Sequence, residues 1–114
     1  MGEERGRLVV GVDVDGTITK HPELFRILCK ALRKEGCSVH IVTCRLEPEF
    51  IQDDLKGWGI EYDKIHVPEI ESDHLSAAEW KAKVCQDEGI TVMFDDSPDI
   101  IIGLGEKTKG MLVL

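Results

Sequence analysis

Five short apolar runs, at Leu8–Val12, Val39–Val42, Ile65–Val67, Ile90–Phe94 and Met111–Leu114, most constrain how this chain can fold. They do not alternate with polar residues, so each reads as a strand covered on both faces, as in a parallel sheet. Parallel neighbours need a crossover between them, and every gap holds a helix-like segment. The first has Pro22 at a first helical position, Leu24, Phe25, Leu28, Ala31 and Leu32 at three- and four-residue spacing, basic Lys30, Arg33 and Lys34 in the last turn, and Gly36 as terminator. A second follows Pro48, with Phe50, Ile51, Leu55 and Trp58 inward. A third opens at Ser76, whose partner Glu79 completes an S-x-x-E capping box. A short fourth starts at Ser97-Pro98 and carries Ile100, Ile101 and Leu104. The order βαβαβαβαβ predicts an α/β fold, a three-layer α/β/α sandwich around a five-stranded parallel sheet. At 114 residues the chain suits one domain, 1–114, with a single core.

Charge and composition narrow the partners. The net charge of −8 repels nucleic-acid backbones and anionic membranes, so neither is expected as a partner. The opening MGEERGR has no secretory h-region, basic transit character or complete myristoylation signal, and no apolar run approaches a membrane span. A cytoplasmic location is expected. Cys29, Cys37, Cys44 and Cys85 show no C-x-x-C spacing, which points to reduced thiols. The acidic stretch 69–74 reads as a solvated loop, and the four histidines form no ligand spacing.

Ligands of such sheets bind beyond the carboxyl ends of the strands, where strand order reverses. The informative residues therefore follow the apolar runs: Asp13 and Asp15 after the first, Thr43, Cys44 and Arg45 after the second, Asp95 and Asp96 after the fourth. Either aspartate pair alone reads equally well as turn chemistry, before Gly16 or before Pro98. Together they place four carboxylates at one rim. Two carboxylates about 4 Å apart repel by roughly 4 kcal/mol at an effective dielectric of 20, so the cluster calls for protons or a cation. Oxygen donors in small number suit Mg²⁺, which keeps waters and shares its shell with a phosphate.

DVDGT at 13–17, IVT at 41–43, a lysine near the head of the third helix and FDDSPD at 94–99 resemble, in order, the four motifs of the haloacid dehalogenase superfamily of phosphohydrolases. The resemblance covers nearly the whole chain and implies a Rossmann-like sheet and a Mg²⁺-dependent phosphatase. By resemblance, Asp13 attacks phosphorus to form an aspartyl-phosphate, and Asp15 protonates the leaving oxygen and then activates water. A carboxylate nucleophile divides one hard hydrolysis into two easier steps, and a neighbouring carboxyl can serve as acid and then base. Gly16 permits the turn that carries Asp15 off the strand, and Thr17 is expected to help hold it. The resemblance further implies that Asp13, the backbone carbonyl of Asp15 and Asp95 hold Mg²⁺. Asp96 would act through a metal-bound water or by orienting the lysine. Thr43 and the following backbone N–H, that of Cys44, would bind phosphate, with Arg45 available to an anionic substrate. Asp99 is a further acidic candidate or simply a first-turn helix charge.

Geometry separates two lysines. At about 100° per residue, Ala77, Ala78, Val84 and Cys85 fall within about 60° of Lys81, whereas Lys83 lies about 160° away. Lys81 is thus expected inward, where a cation needs an anionic partner, and Lys83 outward.

The intervals between motifs leave no room for the cap domain many members of the superfamily carry. A capless, open site suits a small or bulky phosphorylated substrate, or a homo-oligomer whose partner copy covers it. Phosphotransfer to another acceptor would use the same residues. Dehalogenation fits less well, since Asp15 supplies the acid an alcohol leaving group needs. A signalling receiver would need its acceptor aspartate after the third strand, where Pro68 and Glu69 stand. A non-catalytic phosphate- or metal-binding module would have no use for the full set Asp13, Asp15, Thr43, Lys81 and Asp95.

Overall fold

The computed structural model describes residues 7–45, 48–69 and 72–114. The first six residues and part of the acidic stretch at 69–74 lie outside these. The elements run β1 (Val9–Val12), α1 (Pro22–Lys34), β2 (Ser38–Val42), α2 (Pro48–Trp58), β3 (Lys64–His66), α3 (Ala77–Glu88), β4 (Val92–Asp95), α4 (Pro98–Gly103) and β5 (Lys109–Leu112). They form one five-stranded sheet, ordered β3-β2-β1-β4-β5, with every pairing parallel. This is the α/β, Rossmann-like sandwich expected. No helix among the described residues is long and apolar enough to cross a membrane.

Strand parity divides the core. Val10, Val12, Val39 and Ile41 pack with Phe25 and Cys29 of α1 and Ile51 and Leu55 of α2 on one face. Val42 and Met93 pack with Trp80 and Cys85 of α3 on the other. Phe25 meets Phe94 edge to face, with centroids 5.6 Å apart, an arrangement worth about 0.5–1.5 kcal/mol beyond its burial.

Some expected inward positions are wrong. Leu24 and Phe50 are exposed, as is Ala31, because the buried stripe of α1 is centred on Phe25 and Cys29 and that of α2 on Ile51 and Leu55. The last strand also begins earlier than the apolar run, since Lys109 already pairs with Val92. Among the described residues its outer edge is unpaired, and all four of its own residues are exposed.

The chain enters at β1, adds β2 and β3 on one side, then crosses back to lay β4 and β5 on the other. Strand order therefore reverses between β1 and β4, and the crevice there lies between Asp13 and Asp95. Asp13 and Asp95 share the parity of Met93, so both point to the face that α3 covers.

Candidate active site

The turn after β1 is a wide helical bend, Val14–Ile18, broken inside by Asp15 (ψ 122°) and Gly16 (φ 86°). A positive φ favours glycine, and a Cβ at Gly16 would also strike the Asp96 carboxylate. Thr19 Oγ1 accepts from the Gly16 N–H at 2.9 Å and so closes the bend. Thr17, expected to hold it, instead turns its hydroxyl inward and donates to Asp13 Oδ2 at 3.0 Å.

Asp13, Asp95 and Lys81 meet beneath this bend, all buried. Lys81 Nζ donates to Asp13 Oδ1 and to Asp95 Oδ2, each at 2.7 Å. The capping box of α3, with Ser76 and Glu79 bonded reciprocally, fixes the helix that carries Lys81 to the rim. Lys83 points to solvent and pairs with Asp87. The other oxygen of Asp95 accepts from the Ser97 N–H at 3.0 Å. Asp95, not Asp96, thus orients the lysine, because strand alternation sends Asp95 inward and leaves Asp96 exposed. Asp99 is also exposed, in the first turn of α4.

Two carboxylates around one ammonium leave an excess of negative charge. Burial pushes the Asp13 carboxyl up to about 6 against the pull of Lys81. Burial also acts to lower Lys81, but Asp13 and Asp95 outweigh it and hold the ammonium above its ordinary value. Oxygens of Asp13, Asp95 and Asp96 lie within 4.8 Å of one another. This hard, all-oxygen, under-neutralised donor set fits Mg²⁺. The Asp15 side chain stands outside that set.

Asp15 is exposed and gripped by Arg45. The guanidinium donates through Nε and Nη2 to its two oxygens, at 3.0 and 2.6 Å, and through Nη1 to Asp54 of α2 at 2.7 Å. The hydrogen bonds from Arg45 hold the Asp15 carboxyl below its usual range, and the same bonds hold Arg45 well above its own. Thr43 is buried, and its hydroxyl accepts from the Arg45 N–H at 3.2 Å. Cys44 is exposed and free, with its thiol pushed up by partial desolvation. Asp54 and Thr19 escaped the sequence reading. Asp54 sits beside inward Leu55 on a helix where an acidic residue is ordinary, so only the fold brings it to Arg45.

No protein-family model and no curated protein matches the chain. One chain in the structure of the Pnkp1/Rnl/Hen1 RNA repair complex has a similar fold, with a TM-score of 0.77 at 15% identity over 94% of this chain. The similarity spans only 42% of that longer chain. At that identity it concerns the fold alone.

Proposed function

We propose that this protein is a Mg²⁺-dependent phosphatase of the haloacid dehalogenase type, hydrolysing a phosphate monoester through Asp13. The observation that carries this reading is the buried Asp13–Lys81–Asp95 triad, with Lys81 Nζ 2.7 Å from both carboxylates at the switch point of the sheet. Asp13, Asp95 and Asp96 would hold the cation, which when bound offsets the charge of the carboxylates and of the phosphoryl oxygens.

Asp13 is the nucleophile. Thr17 holds one of its oxygens and Lys81 the other, so the carboxylate is fixed before substrate arrives. Lys81 then supplies positive charge to the transferring phosphoryl group. Thr43 and the backbone N–H of Cys44 cradle that group. Asp15, at the open side of the bend, takes up a proton when an anionic substrate draws Arg45 away from it, gives that proton to the leaving oxygen and takes one from water in the second step. Arg45 positions Asp15, and it can also meet an anionic substrate. The protein acts in the cytoplasm on small or bulky phosphorylated compounds that reach an uncapped rim.

A screen of sugar phosphates, nucleotides, phospho-amino acids and end-phosphorylated oligonucleotides tests the reading. Phosphate release that needs Mg²⁺ and is lost in Asp13→Asn is expected. Release of equal rate without Mg²⁺, or by Asp13→Asn, would refute it.

A further inference from the structure

A second constellation shares no residue with the carboxylate site. In the β2–β3 ladder His40 pairs with Lys64 and Val42 with His66. His40 and His66 are therefore diagonal neighbours on one face of the sheet, the face α3 covers. Glu88, in the last turn of α3, reaches the same point. His40 Nδ1 lies 3.0 Å from His66 Nε2, and His66 Nε2 lies 3.9 Å from Glu88 Oε1. One ligand atom from each of the three falls within 4.8 Å of the other two.

A hydrogen bond between two imidazoles accounts for the histidine pair, and Lys64 reaches the Glu88 oxygen from outside, but neither pairing by itself gathers all three donors at one point. Two nitrogens and a carboxylate oxygen are a borderline donor set, suited to Zn²⁺ and its first-row neighbours, not to Mg²⁺. Bond lengths near 2.1 Å about a tetrahedral ion separate ligand atoms by about 3.4 Å, and the observed spacings bracket that value. His40 is buried, whereas a cavity of about 180 Å³ opens beside His66 and Glu88, bordered also by Glu69, Ser72 and Trp80. An ion held by the three would keep one side toward that cavity and to water. Lys64 Nζ, 3.5 Å from the same Glu88 oxygen, is 60% exposed and free to swing away.

We propose that His40, His66 and Glu88 bind a transition-metal ion of the Zn²⁺ class, clipping the edge strand β3 to β2 and to the end of α3. The test is a Zn²⁺ titration of the reduced full chain in excess Mg²⁺, which keeps the carboxylate site occupied. One Zn²⁺ per chain is expected, with affinity falling about tenfold or more in His66→Gln and in Glu88→Gln. At one fixed concentration, Zn²⁺ should raise the melting temperature of the parent by more than that of either variant. Circular dichroism checks the fold of both, and Glu88→Gln, on the partly exposed helix side, carries the test if His66→Gln does not fold. Absence of Zn²⁺ binding, an affinity in both variants unchanged from that of the parent, or thiolate absorption when Co²⁺ replaces Zn²⁺ would overturn the proposal. Phosphatase activity plays no part in these readouts.

Discussion

Arg45 grips Asp15 by both carboxylate oxygens, at 3.0 and 2.6 Å, while its remaining amino group holds Asp54. The residue assigned as general acid and base is thus ionised at rest and tethered to α2. Arg45→Ala should let the Asp15 carboxyl rise toward its ordinary value, moving the limb of the pH profile of kcat/KM that reports Asp15 to higher pH. Turnover should fall by roughly tenfold to a hundredfold, and Arg45→Lys should not restore it, because an ammonium cannot match two oxygens at once. The stability cost should stay within about 1 kcal/mol, as Asp15 is 62% exposed. With a lowered folded pKa, that contribution is present above the ordinary value of 3.8 and disappears as pH falls through the folded one. An unmoved pH limb would contradict the assignment.

Lys81 is the counter-charge for two buried carboxylates. Lys81→Met keeps most of the side-chain volume and removes the charge, so urea unfolding without metal should show a loss of about 3–5 kcal/mol. Added Mg²⁺ should recover part of it by binding the uncompensated charge. Unchanged stability would mean that the ammonium does not neutralise the cluster.

The two aspartates after β4 should behave differently. Asp95 is buried and bonded to both Lys81 and the Ser97 N–H, whereas Asp96 is exposed beside Gly16. Asp95→Asn should raise the Mg²⁺ concentration for half-maximal activity at least tenfold, and Asp96→Asn by less. Mg²⁺ titrations of both variants measure this directly, and the reverse order would reassign the principal ligand.

Metal binding should also move a proton. Burial sets the Asp13 carboxyl at about 6 in the metal-free protein, and a cation binds its charged form. Mg²⁺ binding at about pH 5 should therefore release most of one proton, and at about pH 8 almost none. Calorimetry in buffers of different ionisation enthalpy counts the proton, and release that does not change with pH would argue against Asp13 as ligand.

Much of this architecture was legible because it depends on local pattern. Asp13 and Asp95 each end an apolar run, and parallel strands with crossover helices bring such ends to one rim. The helical period alone turned Lys81 inward and Lys83 outward. What escaped depends on register and reach. His40 sits inside the run Val39–Val42, where spacing gives it no ligand partner, and His66 and Glu88 join it only through the β2–β3 pairing and the end of α3. The inward faces of α1 and α2 were read one position too wide. Leu24 and Phe50 are apolar yet lie about 100° from the buried Phe25 and Ile51, which spacing counts do not resolve.

The central claim is covalent: a phosphoryl group passes through Asp13. In Asp15→Asn the second step lacks its base, so acid-quenched protein from a reaction with an aryl phosphate that the parent hydrolyses, whose leaving oxygen departs without a proton, should carry one phosphoryl group. Peptide mass spectrometry should place it on Asp13, and hydroxylamine should remove it. Substrate consumed by that variant while Asp13 stays unmodified at every quench time would contradict the account.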